Sequence, residues 1–182
     1  MSIILGLIAA IAWGFHDLCV RYVSQATGIF ASLITVLAIG SILVLPISVY
    51  AWDTIPTNQS LLLGVLAGLL FGFAGIAHYK AFSIGPVRLV APVIAAYPVF
   101  SIGLAVWQGT PVSILQWMAV MMIVAGVGYV AASGDKESVQ EPPQKAIFWS
   151  ILAAVGFALT FAVGQAASQQ GGELALLFPT RI

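Results

Sequence analysis

Long apolar stretches alternate with short polar segments along most of the chain. A helix needs about 20 mainly apolar residues to cross the hydrocarbon core of a bilayer. Stretches of that length predict six membrane-spanning helices, at residues 3–23, 29–50, 60–82, 87–107, 112–132 and 146–167. Residues 133–145 form a hydrophilic linker, and the apolar run at 174–182 is too short to cross, so we expect the chain to end inside a seventh span. The predicted fold class is an all-α integral membrane protein, a multi-span helical bundle.

The composition is that of a membrane protein. Hydrophobic residues make up 61% of the chain and charged residues 7%, with a mean hydropathy of +1.08, whereas soluble domains carry about 25% charged residues. The net charge is zero, so nucleic acid is not an expected partner, and the single cysteine, Cys19, excludes an internal disulfide. The first apolar run has no basic leader and is long enough to span, so we expect no cleaved signal peptide.

Glycines recur along one stripe of the third span, at Gly64, Gly68, Gly72 and Gly75. Spacings of three and four residues place them on the same side of a helix. Glycine lets a neighbouring helix approach closely in a membrane, so we interpret the stripe as a packing surface rather than a ligand site.

Ionisable residues and prolines concentrate between positions 78 and 98. His78 and Lys80 lie near the end of the third span, and Pro92 and Pro98 lie within the fourth. A charged group at the centre of a membrane helix costs about 2.5–3.5 kcal/mol or more, and each proline frees a backbone carbonyl. Both features are tolerated where protein or water supplies partners. The pattern therefore indicates the lining of a polar cavity, with snorkelling of Lys80 to the surface as the alternative.

A second group of polar residues lies in the first span. Asp17 and Arg21 are four residues apart and could pair on one helical face. Two interpretations are open: a neutralised pair near the membrane interface, or a proton or substrate-ion site beside His16, a residue type that changes charge near neutral pH. Trp13 could be an aromatic wall of such a site or a packing residue.

The sequence contains no pattern typical of an enzyme. A nucleophile elbow, a zinc-protease motif, a phosphate loop and a dinucleotide fingerprint are all missing from it. His16 and His78 lie far apart in sequence, so their spacing does not indicate a metal site. We therefore predict no catalytic residues, no cofactor and no metal. Tyr79 and Tyr97 could donate hydrogen bonds into a cavity.

An internal repeat relates the start of the chain to its last predicted spans. Shifting the sequence by 144 positions gives six identities in the 27 pairs from 2/146 to 28/172. Both copies also end in a Ser-Gln…Gly turn. The first unit holds five spans, an odd number, so a second copy would cross the membrane in the opposite sense. Inverted repeats around a site at the membrane midplane are typical of secondary transporters.

Several short motifs together resemble the EamA-like branch of the drug/metabolite transporter superfamily. The resemblance depends on Ala12-Trp13-Gly14, Tyr79-Lys80-Ala81, Gly85-Pro86, Ala91-Pro92, Tyr97-Pro98-Val99-Phe100, the Gln116…Gly126-Val127 pattern and the restart at Ile147. It implies two inverted five-helix repeats: a complete one at 1–132, the linker at 133–145, and the start of a second, truncated one at 146–182. It also implies a central substrate cavity and export of small metabolites, amino acids or drugs.

The sequence departs from the family pattern at two places. Gln108 stands where family members often have an acidic residue after the fourth helix. Leu37 stands where they often have an arginine in the second helix, whereas Arg181 fits the corresponding place in the second repeat.

The orientation in the membrane stays open. The positive-inside rule places the amino terminus outside, because the basic residues cluster on the side of the odd-numbered loops, whereas the resemblance implies a cytoplasmic amino terminus. These basic residues are Arg21, Lys80, Arg88, Lys136 and Lys145.

The expected function is secondary transport by alternating access in the plasma or inner membrane, with small-molecule substrate and lipid as partners. The alternative is a non-transporting membrane scaffold or assembly subunit held by the glycine stripe. Proton coupling and a homo-oligomer are further open expectations. The candidate substrate-binding residues are Trp13, His16, Asp17, His78, Tyr79, Lys80, Pro92 and Tyr97.

Overall fold

The computed structural model describes residues 2–50, 57–133, 143–170 and 180, and every long regular element among them is an α-helix. These helices are α1 (Ser2–Ala26), α2 (Ile29–Tyr50), α3 (Asn58–Ile84), α4 (Val87–Ala95), α5 (Tyr97–Trp107), α6 (Ile114–Ser133) and α7 (Pro143–Ser168). The predicted all-α fold class is confirmed. Of the predicted seventh span, 174–182, the structure describes only Thr180.

All six predicted spans correspond to helices, and their ends differ by a few residues. Five segments of the described chain are long and apolar enough to cross a membrane: α1, α2, α3, the α4–α5 pair and α7. The apolar part of α6, Ile114–Val130, is shorter. Large apolar side chains on the outer faces of the bundle are exposed, among them Phe15, Ile42 and Met122. Such surfaces are suited to contact with lipid acyl chains.

The fourth predicted span is divided at Ala96, between its two prolines. Ala96 has φ −77° and ψ 6°, outside the helical conformation of its neighbours. Its N–H donates to the carbonyls of Pro92 (3.1 Å) and Val93 (3.3 Å). Pro98 follows in the first turn of α5, where the missing N–H costs least. The chain therefore leaves the helix at Ala96, whose N–H binds the carbonyls of Pro92 and Val93 where α4 ends.

Small residues bring α7 against α3 along much of their lengths. The buried face of α3 includes Ala74, Ala77 and Ala81, and that of α7 includes Ala153 and Gly156. A Cβ atom placed on Gly156 would lie 2.8 Å from the Cβ of Ala74 and 3.2 Å from its Cα. The two backbones are therefore as close as a glycine allows. Membrane helices depend on such close packing, because the hydrophobic effect does not drive them together in lipid.

The glycine stripe of α3 divides between two environments. Gly75 contacts α2, since a Cβ there would lie 2.8 Å from Leu33 Cδ1. Gly72 has open space beside it, and with Gly68 it lines a cavity of about 320 Å³. The predicted packing role is confirmed at Gly75 and is wrong for Gly72. The tightest contact of α3 with α7 forms around Ala74 instead.

Four helix ends meet on one side of the bundle. Arg21 near the end of α1 donates from Nη1 to the carbonyls of Phe82 and Gly85, both at 2.6 Å. Gly85 ends α3 with φ −121°, so any residue could adopt its backbone conformation. Lack of space requires a glycine at this position, because a Cβ there would lie 2.5 Å from Ala146 Cβ of α7 and 2.8 Å from Val90 Cγ2 of α4.

Candidate functional site

Two histidines and one aspartate meet inside the bundle, where α1 crosses α3. Asp17 Oδ1 lies 3.2 Å from His78 Nε2 and 3.5 Å from His16 Nδ1. His16 and Asp17 are consecutive on α1, and His78 reaches them from α3. We refer to His16, Asp17 and His78 as the His–Asp–His cluster.

Two residues of the cluster, Asp17 and His78, are buried although they are polar, and His16 is half-buried. His78 is 1% exposed and Asp17 is 9% exposed. None of Asp17 Oδ1, His16 Nδ1, His78 Nδ1 and His78 Nε2 has an aligned hydrogen-bond partner, and all four atoms are shielded from solvent. Buried polar atoms normally are hydrogen-bonded, because leaving one unsatisfied costs about 1–3 kcal/mol. The three side chains therefore lie at or near hydrogen-bonding distance of one another without the alignment of a good hydrogen bond, at a site where burial makes poor alignment costly.

Aromatic rings from three helices surround the cluster. Trp13 of α1 stacks on His16, with ring centroids 5.0 Å apart and an interplanar angle of 19°. Phe157 of α7 lies 6.0 Å from Trp13 and 5.7 Å from His78. Tyr79 of α3 lies 6.0 Å from His78, and its side chain is buried. This apolar shell lowers the local dielectric and strengthens electrostatic interactions inside it.

Two cavities meet at the Trp13–His16 stack. The small cavity, of about 130 Å³, is lined by Trp13, His16, Leu33, Val36, Leu37, Phe71, Gly75, His78, Tyr79 and Phe157. The large cavity, of about 700 Å³, is lined by Gly6, Ala9, Ala10, Ala12, Trp13, His16, Ala95, Tyr97, Pro98 and Phe161. Among the residues that the structure describes, Trp13 and His16 are the two that line both walls. The stacked pair therefore separates a space that reaches His78 from a larger one bounded by α5.

Comparison with known proteins places the chain in a family. The model of the EamA-like transporter family matches residues 1–132, which is most of the sequence. The chain belongs to the EamA-like transporter family. No curated protein and no solved structure matches it. Membership makes this EamA-like protein a membrane transporter of the drug/metabolite type and confirms the predicted multi-pass membrane location. Members of the family are transporters rather than enzymes, in agreement with the lack of enzyme motifs.

The EamA-like chain does not form the Asp17–Arg21 pair that helical spacing suggested. Arg21 instead binds the carbonyls at the end of α3, and turning the amide of Gln25 lets its oxygen accept from Arg21 Nη1 and Nη2 at 3.0 and 3.1 Å. Asp17 faces the two histidines. The neutralised-pair interpretation is therefore wrong. The carbonyl oxygens at a helix end carry partial negative charge, which explains why they attract a guanidinium.

The predicted site residues fall into two groups in this EamA-like protein. The structure brings together Trp13, His16, Asp17, His78 and Tyr79, and Tyr97 lies on the wall of the large cavity. Lys80, half-buried on α3, and Pro92 line neither the small nor the large cavity. Lys80 follows His78 by two residues, which turns it about 200° around the helix. The part of all these residues in substrate binding stays a prediction.

Sequence reasoning missed Phe157 and the role of Arg21. The repeat contains a signal for the first, because the shift of 144 positions aligns Phe157 with Trp13. These two aligned residues contact each other across the site. For Arg21 no such signal exists, since its partners are backbone carbonyls of a helix that lies far along the chain.

Proposed function

We propose that this EamA-like chain carries a small solute across the membrane by alternating access, along a path that passes the His–Asp–His cluster. The observation that carries the proposal is the meeting of two cavities at the Trp13–His16 stack, directly beside the buried Asp17 and His78. Alternating access requires that the site never open to both sides at once, and the stacked pair separates the two spaces here. Ionisable residues buried in a membrane protein commonly mark substrate or ion pathways.

The solute we propose is a small metabolite, amino acid or drug with both apolar and polar parts, moved outward. The walls of the two cavities are mainly aromatic and aliphatic, with the cluster as their polar element. A ligand site with apolar walls and a few polar groups orients a ligand through those groups. The proposed contacts are Trp13, His16, Asp17, His78, Tyr79 and Tyr97.

Proton coupling is the driving step we propose. Asp17 and His78 lie 3.2 Å apart, so a proton on either one changes the charge felt by the other. Solute binding near His16 would alter that balance, and a proton gradient would then bias the cycle. An inward-directed proton gradient should therefore increase solute efflux.

The contact between Trp13 and Phe157 supports the inverted-repeat arrangement. Residues that a repeat relates to each other can touch only close to the axis that relates the two units. Trp13 and Phe157 are aligned by the 144-residue shift and have centroids 6.0 Å apart. This position beside the cluster agrees with a substrate site at the interface of two repeats.

The proposal is tested by flux in proteoliposomes that contain the purified full-length protein and a panel of radiolabelled amino acids, metabolites and cationic drugs. We expect Asp17→Asn to lower proton-driven flux by about tenfold or more, because it removes the charge without changing the shape. Thr35→Val is the matched control: Thr35 is exposed on α2 and donates a hydrogen bond to the Ala31 carbonyl of its own helix. It should retain wild-type flux.

The scaffold alternative predicts a different pattern. In that case no solute would move with the wild-type protein, Asp17→Asn would be silent, and Gly68→Leu would disrupt assembly with a partner. Gly68 lines a cavity of about 320 Å³, so we expect Gly68→Leu to leave the oligomeric state unchanged. Absence of flux for every solute, with Asp17→Asn indistinguishable from wild type, would overturn the transport proposal.

A further inference from the structure

The donor atoms of the His–Asp–His cluster have the spacing of metal ligands. One ligand atom each from His16, Asp17 and His78 lies within 4.8 Å of the others. Asp17 Oδ1 lies 3.2 Å from His78 Nε2 and 3.5 Å from His16 Nδ1. Ligands about 2.0–2.2 Å from a tetrahedral zinc ion are about 3.3–3.6 Å from one another. An ion at the centre of the cluster would therefore need only small movements of these side chains.

The cluster also has the unsatisfied atoms that a ligand would complete. His78 is 1% exposed, and neither of its ring nitrogens has an aligned hydrogen-bond partner. Asp17 Oδ1 is likewise buried without one. The nearest cation along α1, Arg21, is engaged by the carbonyls of Phe82 and Gly85. A bound cation would supply the positive charge that the buried carboxylate needs.

The type of donor selects the type of ion. Two imidazole nitrogens and one carboxylate oxygen suit zinc, cobalt or nickel, whereas magnesium and calcium prefer sites made of oxygen. Three protein ligands leave at least one coordination position open, as in catalytic and exchangeable sites. His16 and His78 both line the small cavity, so that position can hold water or a solute group.

We propose that His16, Asp17 and His78 form a binding site for one divalent transition-metal ion of the zinc or cobalt type. The inference names the class of ligand that the site binds. A role of this ion in transport would rest on the proposed function. The binding itself depends only on the cluster. The spacing of the two histidines in the sequence did not indicate this site, because the fold brings α1 and α3 together.

The test uses the purified full-length protein in detergent, without a histidine tag, titrated with Co²⁺ and followed by its visible absorption. We expect one Co²⁺ per chain with intense bands typical of a four- or five-coordinate ion. Excess Zn²⁺ should abolish these bands. Cys19→Ser is the matched control, because Cys19 is exposed on α1 close to the cluster but is not one of its ligands. Its Co²⁺ spectrum and affinity should equal those of wild type.

Removal of a ligand should weaken binding. We expect His78→Ala and His16→Ala each to lower Co²⁺ affinity by at least about tenfold, since loss of even an outer partner of a metal site costs 10–100-fold. His78 is buried, so His78→Ala could unfold the protein. His78→Cys in the Cys19→Ser background covers that outcome. It should keep Co²⁺ and add a sulfur-to-cobalt charge-transfer band, which appears only if residue 78 is a ligand.

Three results would overturn the inference: no stoichiometric Co²⁺ uptake by the folded wild type, uptake unchanged in His16→Ala, or a His78→Cys protein that binds Co²⁺ without the sulfur band. The last two would assign the ion to an adventitious position. Solute flux measured in a chelating buffer tests the proposed function separately. Flux without Co²⁺ binding would remove the ion site alone, and Co²⁺ binding without flux would remove the transport proposal alone.

Discussion

At the scale of single residues, Arg21 links two helices through hydrogen bonds that its position in the sequence does not reveal. Its guanidinium bridges from α1 to the last carbonyls of α3, those of Phe82 and Gly85. Helix ends leave carbonyls without intrahelical partners, and Nη1 of Arg21 donates to two of them here. Arg21 therefore fixes the relative position of α1 and α3 a little more than one helical turn beyond Asp17.

We expect Arg21→Met to destabilise the protein by about 2 kcal/mol, because hydrogen bonds from a charged donor contribute about 1.5–3 kcal/mol each and the group is only partly buried. Thermal unfolding in detergent, followed by size-exclusion chromatography, measures the loss. Arg21→Lys keeps the charge but not the planar guanidinium, so it should recover part of the stability. Equal melting temperatures for all three proteins would show that the bridge contributes nothing.

The sequence indicated which residues come together here but not which partners they contact. Trp13, His16, Asp17, His78 and Tyr79 stood out because polar and aromatic groups inside apolar spans are unusual, and the structure brings them together. The pairing of Asp17 with a residue four positions away was a local inference. The actual partner, His78, is set by the crossing of two helices, which no local pattern encodes.

At the scale of helices, contact between α3 and α7 depends on small residues at specific positions. Gly156 and Ala74 face each other with no room for another carbon atom. Gly164, further along α7, has open space beside it. One helix therefore contains a glycine that packing requires and a glycine that it does not.

Gly156→Ala should destabilise the protein by about 1–3 kcal/mol, the usual cost of overpacking, because the added carbon meets the backbone of α3 rather than a flexible side chain. Gly164→Ala is the control, and it should be neutral or stabilising by up to about 1 kcal/mol, since alanine is the better helix former. Unfolding in increasing sodium dodecyl sulfate compares the two. A Gly156→Ala protein as stable as Gly164→Ala would contradict the close contact.

The lengths of the helices were predictable and their interruptions were less so. Apolar runs of membrane length gave all six spans, because hydrocarbon thickness sets a helix length. Pro92 and Pro98 indicated disturbance in the fourth span, but the division occurs at Ala96, between them. Proline fixes its own φ and removes one donor, whereas the residue that leaves the helix is decided by packing on both sides.

At the scale of the whole molecule, the order of crossings fixes which helix ends share a side of the membrane. The end of α1, the end of α3, the start of α4 and the start of α7 lie together, as the contacts of Arg21, Gly85 and Ala146 show. The start of α3 at Asn58 is at the opposite end of that helix. Arg21 is engaged in a helix-end contact, so it is a weaker topology signal than a free surface charge.

Cysteines introduced in a Cys19→Ser background test this arrangement in sealed vesicles. Gln144→Cys and Asn58→Cys should react with a membrane-impermeant maleimide from opposite sides, because each residue is exposed at the start of a helix and α3 separates the two sides. Thr110→Cys, in the turn after α5, should label from the same side as Asn58→Cys. Labelling of Gln144→Cys and Asn58→Cys from one side would refute the order of crossings.

The position of α7 has a consequence for biosynthesis. During translation, the alanine-lined face of α3 leaves the translocon well before its cover, α7, has been made. That face stays open in the nascent chain until α7 is inserted. A pause on the ribosome between α6 and α7 lengthens the interval in which α7 of a neighbouring nascent chain can occupy it. We therefore expect domain-swapped dimers among the error products of slow synthesis.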